Sequence, residues 1–505
     1  MFRKFFSKGG FSLSGENHNQ IIPLSENLEE NIKKLEMALG KSDDLSVRRL
    51  NVSANNIAII HIEGIVDDQS IKENVISPII QLYKENHPFK SANEIVDSMV
   101  QIFSVTSVEF IINWSELLDK ILAGDTVILV NNSAKAITLG TKKIQSRSIT
   151  EPTTQTVIKG PKDSFTENIG TNISLVRSRI QNAKLRLKLT KVGNVSKTDV
   201  GIMYIQGNAD ISIVNEVMSR LKKINIDSIL EANYIEEALR DNRKTLFPLM
   251  QSSERPDVVA ANLLEGKVAI IIQGTPFVLI LPVLLIQFFQ SPEDYYENNA
   301  FSSFLRLIRI GSFLLNMYAS AVYLALITHH QGLIPTTLMV TLMAQRERVP
   351  FPAIIELLLM ELAFEVLREA GVRMPRAIGP AVSIVGALIL GQAAVEAGFV
   401  SAAIVIIVAT SAINSFTLPN TNIVNTARGL RFLLIWCSAF IGFYGILLCT
   451  LCLLVHLCSL RSFGVPYVAP FAPFRMGAQK DSLIRFPITS LNMNNADENK
   501  ETKTK

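Results

Sequence analysis

Apolar residues come in short groups broken by charge along the first half of the chain, and run together along the second half. Leu28, Ile32, Leu35 and Leu39 recur at helical spacing, so a helix is predicted over 27–39. The group NIAIIHIE at 56–63 predicts a buried strand, followed by a helical stretch over 70–83. A short strand at 105–109 and a helix over 114–122 come next. Strands 126–130 and 134–139 flank Asn131-Asn132-Ser133, which reads as a hairpin turn. A second set follows: a helix over 171–184, strands at 186–191 and 200–205, and a helix over 211–222 with Asp210 as N-cap. A strand at 224–229 and a helix over 235–240 complete a βαβ-like unit.

Past Arg306 the pattern changes. Segments 310–328, 377–395, 397–427 and 432–460 contain no Lys, Arg, Asp or Glu. At about 1.5 Å per helical residue each is long enough to cross a hydrocarbon core of about 30 Å. Charges gather between them, at Arg346-Glu347-Arg348, from Glu365 to Arg376, and at Arg428 and Arg431. The fold class expected is an α/β soluble N-terminal region of two subdomains followed by an all-α, multi-span membrane domain. Its boundaries read as a disordered arm (1–25), α/β subdomains (26–149 and 150–247), a linker (248–267), a membrane domain (268–460) and a polar tail (461–505). Segment 268–290 is apolar but broken by Gly274, Pro276 and Pro282; it begins like a strand (VAIII), continues like a short hydrophobic helix, and reads as a dip into one leaflet or a full span with two prolines.

The net charge of +4 over 505 residues is too small to argue for nucleic acid. Arg3, Lys4 and Lys8 are followed by no apolar core, so the N-terminal region is a poor signal peptide and is expected in the cytoplasm. All four cysteines, Cys437, Cys449, Cys452 and Cys458, lie in the last apolar segment, where they read as packing residues. No metal or cofactor is assigned. No phosphate loop, H-E-x-x-H or G-x-S-x-G occurs, so no enzyme is expected.

Two stretches carry candidate chemistry. Gly379, Ser383, Ala387 and Gly391 form a ladder of small residues every four positions, a spacing that lets helices approach closely in lipid. It fits packing within one chain, an oligomer interface or a pore-lining helix. Val385 and Ile389, with Ser383 and Gly386 beside them, are candidates for a pore or gate. Glu361 and Glu365 then stand four apart on a helix over 353–369, with Arg368 and Arg373 nearby. They suit a solvated face at the membrane interface, a carboxylate ring at a channel mouth, or an ion-pair network. Arg306, Arg309, Arg428 and Arg431 favour cytoplasmic starts to two of the runs.

The segments PFVLILPVLLIQFFQSPEDYYEN, AQRERVPFPAIIELLLMELAFEVLREAGVRMP and IGPAVSIVGALILGQAAVEAGFVS resemble the A subunit of spore germinant receptors, the GerA family. The connector VIKGPKDSFTENIGTN and the SLVRSRI after it resemble that family's soluble domain. The resemblance runs from about Asn27 to Pro473. It implies the inner membrane of dormant spores, a transporter-like B subunit that senses nutrient, and a lipoprotein C subunit as partners. It also implies a homo-oligomer in membrane lipid with a path for monovalent cations near 378–391. A secondary-transporter subunit and a membrane-anchored scaffold are the alternatives.

Overall fold

A computed structural model describes residues 22–52, 55–84, 92–105, 107–143, 152, 155, 157, 159–242, 244–373, 389–474, 479 and 481–487. They fall into two compact units. One holds the described residues up to Asp241 together with Met250–Val283; the other holds Asn242–Leu249 and Leu284–Arg485.

The first unit opens with α1 (Leu28–Ala38), whose N-cap Asn27 accepts hydrogen bonds from Glu29 N and Glu30 N. After it come β1 (Leu45–Val52), β2 (Asn55–Ile62) and α2 (Asp68–Ile71), which runs through π-helical Lys72–Ile76 into α3 (Ser77–Lys84). Next are α4 (Ala92–Ile102), β3 (Val108–Ile111), α5 (Trp114–Ala123), β4 (Thr126–Val130) and β5 (Ala136–Leu139). Every residue of β4 and β5 is buried, because these strands are covered on both faces. A second set follows: α6 (Ile169–Arg179), β6 (Leu185–Val192), β7 (Thr198–Ile205), α7 (Ile211–Lys222) and α8 (Ala232–Leu239). It is completed by β8 (Gln251–Ser253), α9 (Pro256–Leu264), β9 (Val268–Ile272) and β10 (Val278–Leu281).

The two sheets have the same architecture. Their strand orders are β1-β2-β4-β5-β3 and β6-β7-β9-β10-β8, and every pairing is antiparallel. Left-handed backbone falls at matching turns, at Gly64, Gly124 and Asn132 in one and Gly207, Gly266 and Gly274 in the other. The unit is therefore built from one mixed α and β design used twice.

Arg177 on α6 joins the sheets. Its guanidinium meets Asp44 in a bidentate pair, at 2.8 and 2.9 Å, and donates to Ser42 Oγ at 3.1 Å. Leu187 N and Leu189 N of edge strand β6 donate to Ser42 Oγ and Asp43 Oδ2, which occupies part of that edge.

This arrangement corrects the sequence reading in several places. Segments 248–267 and 268–283 are neither linker nor membrane dip, since they supply β8, α9, β9 and β10 to the second sheet. Strands buried on both faces lack polar alternation and so imitate membrane segments. The expected βαβ-like unit is absent from the described residues: all pairings are antiparallel, and 224–229 is not a strand. Leu24 is buried, with its N–H on Ile112 O, so ordered structure begins before residue 26. Residues 1–21 lie outside the described set.

The second unit is helical. Its main elements are α10 (Glu293–Tyr296), α11 (Asn299–Thr328), α12 (Thr336–Arg346), α13 (Ala353–Arg373), α14 (Ala394–Glu396), α15 (Ala402–Phe416), α16 (Thr421–Ile441) and α17 (Phe443–Ser459). Among the described residues, α11 alone is long and apolar enough to cross a membrane; α15 and α17 are shorter apolar helices. The charge-free runs 397–427 and 432–460 are thus not single helices. Pro419 and the N-cap Asn420 separate α15 from α16. Gly442, at φ 65°, separates α16 from α17, and the His330 ring lies where a β-carbon there would stand. The segment after 460 is also no simple polar tail: Arg461–Ser462 pairs with Val465–Pro466 and Tyr467 is fully buried.

Candidate functional site

α11 packs chiefly against α16 and α15, and α13 packs against both α11 and α15. The inward face of α11 is polar for much of its length, with Ser302, Arg306, Arg309, Ser312, Asn316 and Ser320 all buried. On α13 the buried face includes Glu356 and Glu361, both without solvent exposure. Helices that bury charge this way must bring counter-charges from elsewhere.

Those counter-charges come largely from α16. Arg431 Nη1 lies 3.3 Å from Glu361 Oε2, and Arg431 Nη2 lies 3.4 Å from Glu365 Oε1. Arg428 Nε donates to Glu365 Oε1 at 2.9 Å and its Nη2 pairs with Oε2. Arg368 Nη2 donates to Glu365 Oε2 at 2.7 Å. From α11, the Ser320 hydroxyl donates to Glu361 Oε1 at 2.7 Å. Three helices therefore meet at two carboxylates. Five residues before Glu361 on the chain, Glu356 Oε1 accepts from Ser401 N, the N-cap of α15, and Oε2 lies 3.8 Å from Arg346 Nε.

A second charged cluster holds the start of α11. Arg306 Nε donates to Asp294 Oδ2 at 2.8 Å, and its Nη1 meets Asp481 Oδ1 at 3.0 Å. Arg309 Nη1 meets Asp294 at 2.9 Å, and Tyr295 Oη donates to Asp481 Oδ2 at 2.9 Å. Arg485 Nη1 donates to the carbonyls of Asp294 and Glu297. Arg306 and Arg309 are thus spent on internal pairing, and no longer serve as free markers of membrane sidedness.

Among the sequence candidates, Glu361, Glu365 and Arg368 come together, while Arg373 pairs only with Glu369 on an exposed turn. The solvated face considered for this helix is not found at Glu361, which is fully buried. Gly379, Ser383, Val385, Gly386 and Ala387 lie outside the described residues. Ile389 opens the π-helical turn Ile389–Ala393, which contains Gly391. A β-carbon at Gly391 would meet Val405 Cγ1 at 3.8 Å, an ordinary contact. Among the described residues no cluster of three His, Cys, Asp or Glu is arranged to hold a metal ion.

Arg428 and Arg431 are the site residues that sequence reasoning missed as partners. Their spacing of three on α16 matched the four-residue spacing of Glu361 and Glu365, a complementarity that was available to be read.

A family model described as "Bacillus/Clostridium GerA spore germination protein" matches residues 33–496. "Spore germination protein KA" of Bacillus subtilis (strain 168) is 46% identical over 469 residues, covering 92% of this chain and 86% of that protein. "Spore germination protein A1" of the same organism is 38% identical, covering 95% and 98%. "Spore germination protein GerLA" of Bacillus cereus is 36% identical, covering 94% and 96%. A crystal structure of the N-terminal domain of the A subunit of the Bacillus megaterium spore germinant receptor GerK3 is 36% identical, with a TM-score of 0.42, covering 53% of this chain and 99% of that one. With a match of this extent, the chain belongs to the GerA family of spore germination proteins.

Proposed function

We propose that this chain is the A subunit of a nutrient-germinant receptor in the spore inner membrane, where it oligomerises around a gated path for monovalent cations. A transporter-like B subunit and a lipoprotein C subunit complete the receptor in this reading. The sheet unit lies on the spore-core side, and the chain passes the membrane several times.

The observation that carries the reading is the inverted polarity of the helical unit. Its buried charges are paired inside, at Glu361, Glu365, Arg428 and Arg431. Large apolar residues of α15, α16 and α17 face outward: Phe416 is 75% exposed, Phe440 74% and Val455 71%. A bundle in water favours the reverse, whereas ionisable residues facing the interior of an apolar bundle mark function in membrane proteins. The small-residue ladder ending at Gly391 suits close packing against further helices in lipid, and among the described residues a β-carbon at Gly391 would make only an ordinary contact, with Val405.

The test is potassium release from spores exposed to rich nutrient broth, in a host whose only receptor of this family contains the chain. Release that disappears on deletion of the chain supports the reading. Release that persists unchanged contradicts it.

A further inference from the structure

Asn316 stands on α11 one helical turn before Ser320, on the same face. Both residues are fully buried. Ser320 is engaged, its hydroxyl donating to Glu361 Oε1 at 2.7 Å. Asn316 is not: neither its amide nitrogen nor its amide oxygen has a hydrogen-bond partner. The adjoining network has matching spare capacity, because Arg431 Nε and Glu361 Oε2 also lack hydrogen bonds. A buried amide in this state weakens the arrangement it occupies, and a second arrangement that uses it supplies the physical explanation.

We propose that Ser320 and Asn316 are two alternative docking positions on α11 for the Glu361–Arg431 pair, and that the receptor's conformational step carries the pair from one to the other. The proposal rests on the reading of this chain as a signalling membrane subunit. The displacement is one turn, about 5.4 Å, a step size that packed helices use when they switch between discrete registers. In the arrangement seen, Ser320 holds Glu361. In the alternative, Asn316 Nδ2 donates to Glu361 and Asn316 Oδ1 accepts from Arg431 Nε, so the spare groups are used together.

The network is built to survive such a step. Glu365 contacts both Arg428 and Arg431, which ties α13 to α16 as one body. The charges therefore travel as pairs, and only a neutral hydroxyl is exchanged for an amide. Within this network no buried charge is bared on the way, which is the event that makes breaking such a pair costly. Glu356 on the same helix keeps its partners by carrying Arg346 and the start of α15 with it. A polar tie between α16 and α11, Ser438 Oγ on Ala321 O at 2.7 Å, would pass in the alternative register to the carbonyl of Met317, one turn away.

The experiment uses the full chain in spores whose only receptor of this family contains it, with rich nutrient broth as the stimulus. Asn316→Leu and Asn316→Ala remove the second docking position, and Asn316→Ser restores a hydrogen-bonding group there. The expected result is wild-type abundance or more in spore membranes for all three. Germination, followed as the fall in optical density, slows about tenfold or more in the Leu and Ala variants and stays within about twofold of wild type in the Ser variant. Wild-type rates in the Leu and Ala variants overturn the proposal, as does an equal loss in the Ser variant. Reduced abundance of the Leu and Ala variants overturns it too, because Asn316 then supports the resting fold. If deleting the whole chain leaves germination unchanged, the functional reading itself has failed.

Discussion

The sheet unit and the helical unit bury arginine in opposite ways. Arg177, 2% exposed, answers a single carboxylate, Asp44, with two parallel hydrogen bonds and a third to Ser42. Arg431, 3% exposed, is shared between Glu361 and Glu365 at longer range, and its Nε has no partner. The contrast extends to the whole molecule. Among the described residues, three buried side-chain atoms of the sheet unit lack a hydrogen bond, on His61, Arg177 and Arg240; the others are in the helical unit. A scaffold needs one arrangement and satisfies its polar groups in it. The helical unit leaves more of its buried groups unsatisfied, as the proposed step between two registers requires.

The sharpest way to break this comparison is to remove each arginine. Arg431→Leu strips Glu361 and Glu365 of a shared counter-charge in a dry setting, and is expected to cost about 3–5 kcal/mol. The detergent-solubilised full chain should lose most of its folded fraction, and melting at the wild-type temperature would place Arg431 outside the network. Arg177→Met bares only Asp44 and should cost somewhat less, about 2–4 kcal/mol. The double variants sharpen the point. Arg177→Met with Asp44→Leu should recover most of the loss, because an isolated pair can be replaced by apolar packing. Arg431→Leu with Glu361→Leu should recover less, since Ser320 loses its acceptor and Glu365 is left with Arg428 and Arg368 alone. Equal recovery in both would erase the distinction between an isolated pair and a network.

A smaller effect separates the two sheets. A β-carbon at Gly266 would lie 2.5 Å from Asn208 O, while one at Gly124 would lie 3.2 Å from Ile65 O, both at positive φ. Gly266→Ala should cost about 2–3 kcal/mol and Gly124→Ala about 1–2 kcal/mol. The reverse order, read from melting of the full chain, would show that the matched turns differ in backbone.

The smallest effect expected concerns pH. Burial holds the His61 imidazole below its ordinary value of 6.5. The unfolded chain then takes up a proton at a higher pH than the folded one. The stability tied to neutral His61 is fully present above the ordinary imidazole range and is lost as pH falls through it. Hydrogen-exchange protection of β2 should fall between about pH 7 and about pH 5, and His61→Leu should flatten that change. Protection that rises on acidification would reverse the sign.

Much of the sheet unit was legible because its signals are local. Asp210 caps the helix it precedes, as expected, and the helix expected from Asn27 begins one residue later with Asn27 as its cap. Asn132 adopts the left-handed backbone that the Asn-Asn-Ser turn implied. What escaped was non-local. The edge strand β1, LSVRRLNV, carries too many polar residues to announce itself. β9 and β10 show unbroken apolar runs because both faces of the sheet are covered, so although VAIII begins like a strand, the segment as a whole reads as membrane. The site was half legible. Glu361 and Glu365 stood out as carboxylates needing partners. Yet Arg428 and Arg431 reach them from another helix, and Ser320 from a third, and helical spacing within α13 does not report either.

A gated cation path organised by this bundle, as proposed, would carry potassium through the full chain assembled with its partner subunits in liposomes, and measuring that flux is the most direct test. The wild-type complex is expected to pass potassium, and Glu361→Gln to abolish that flux. A correctly assembled wild-type complex that passes no potassium under any nutrient condition would contradict it.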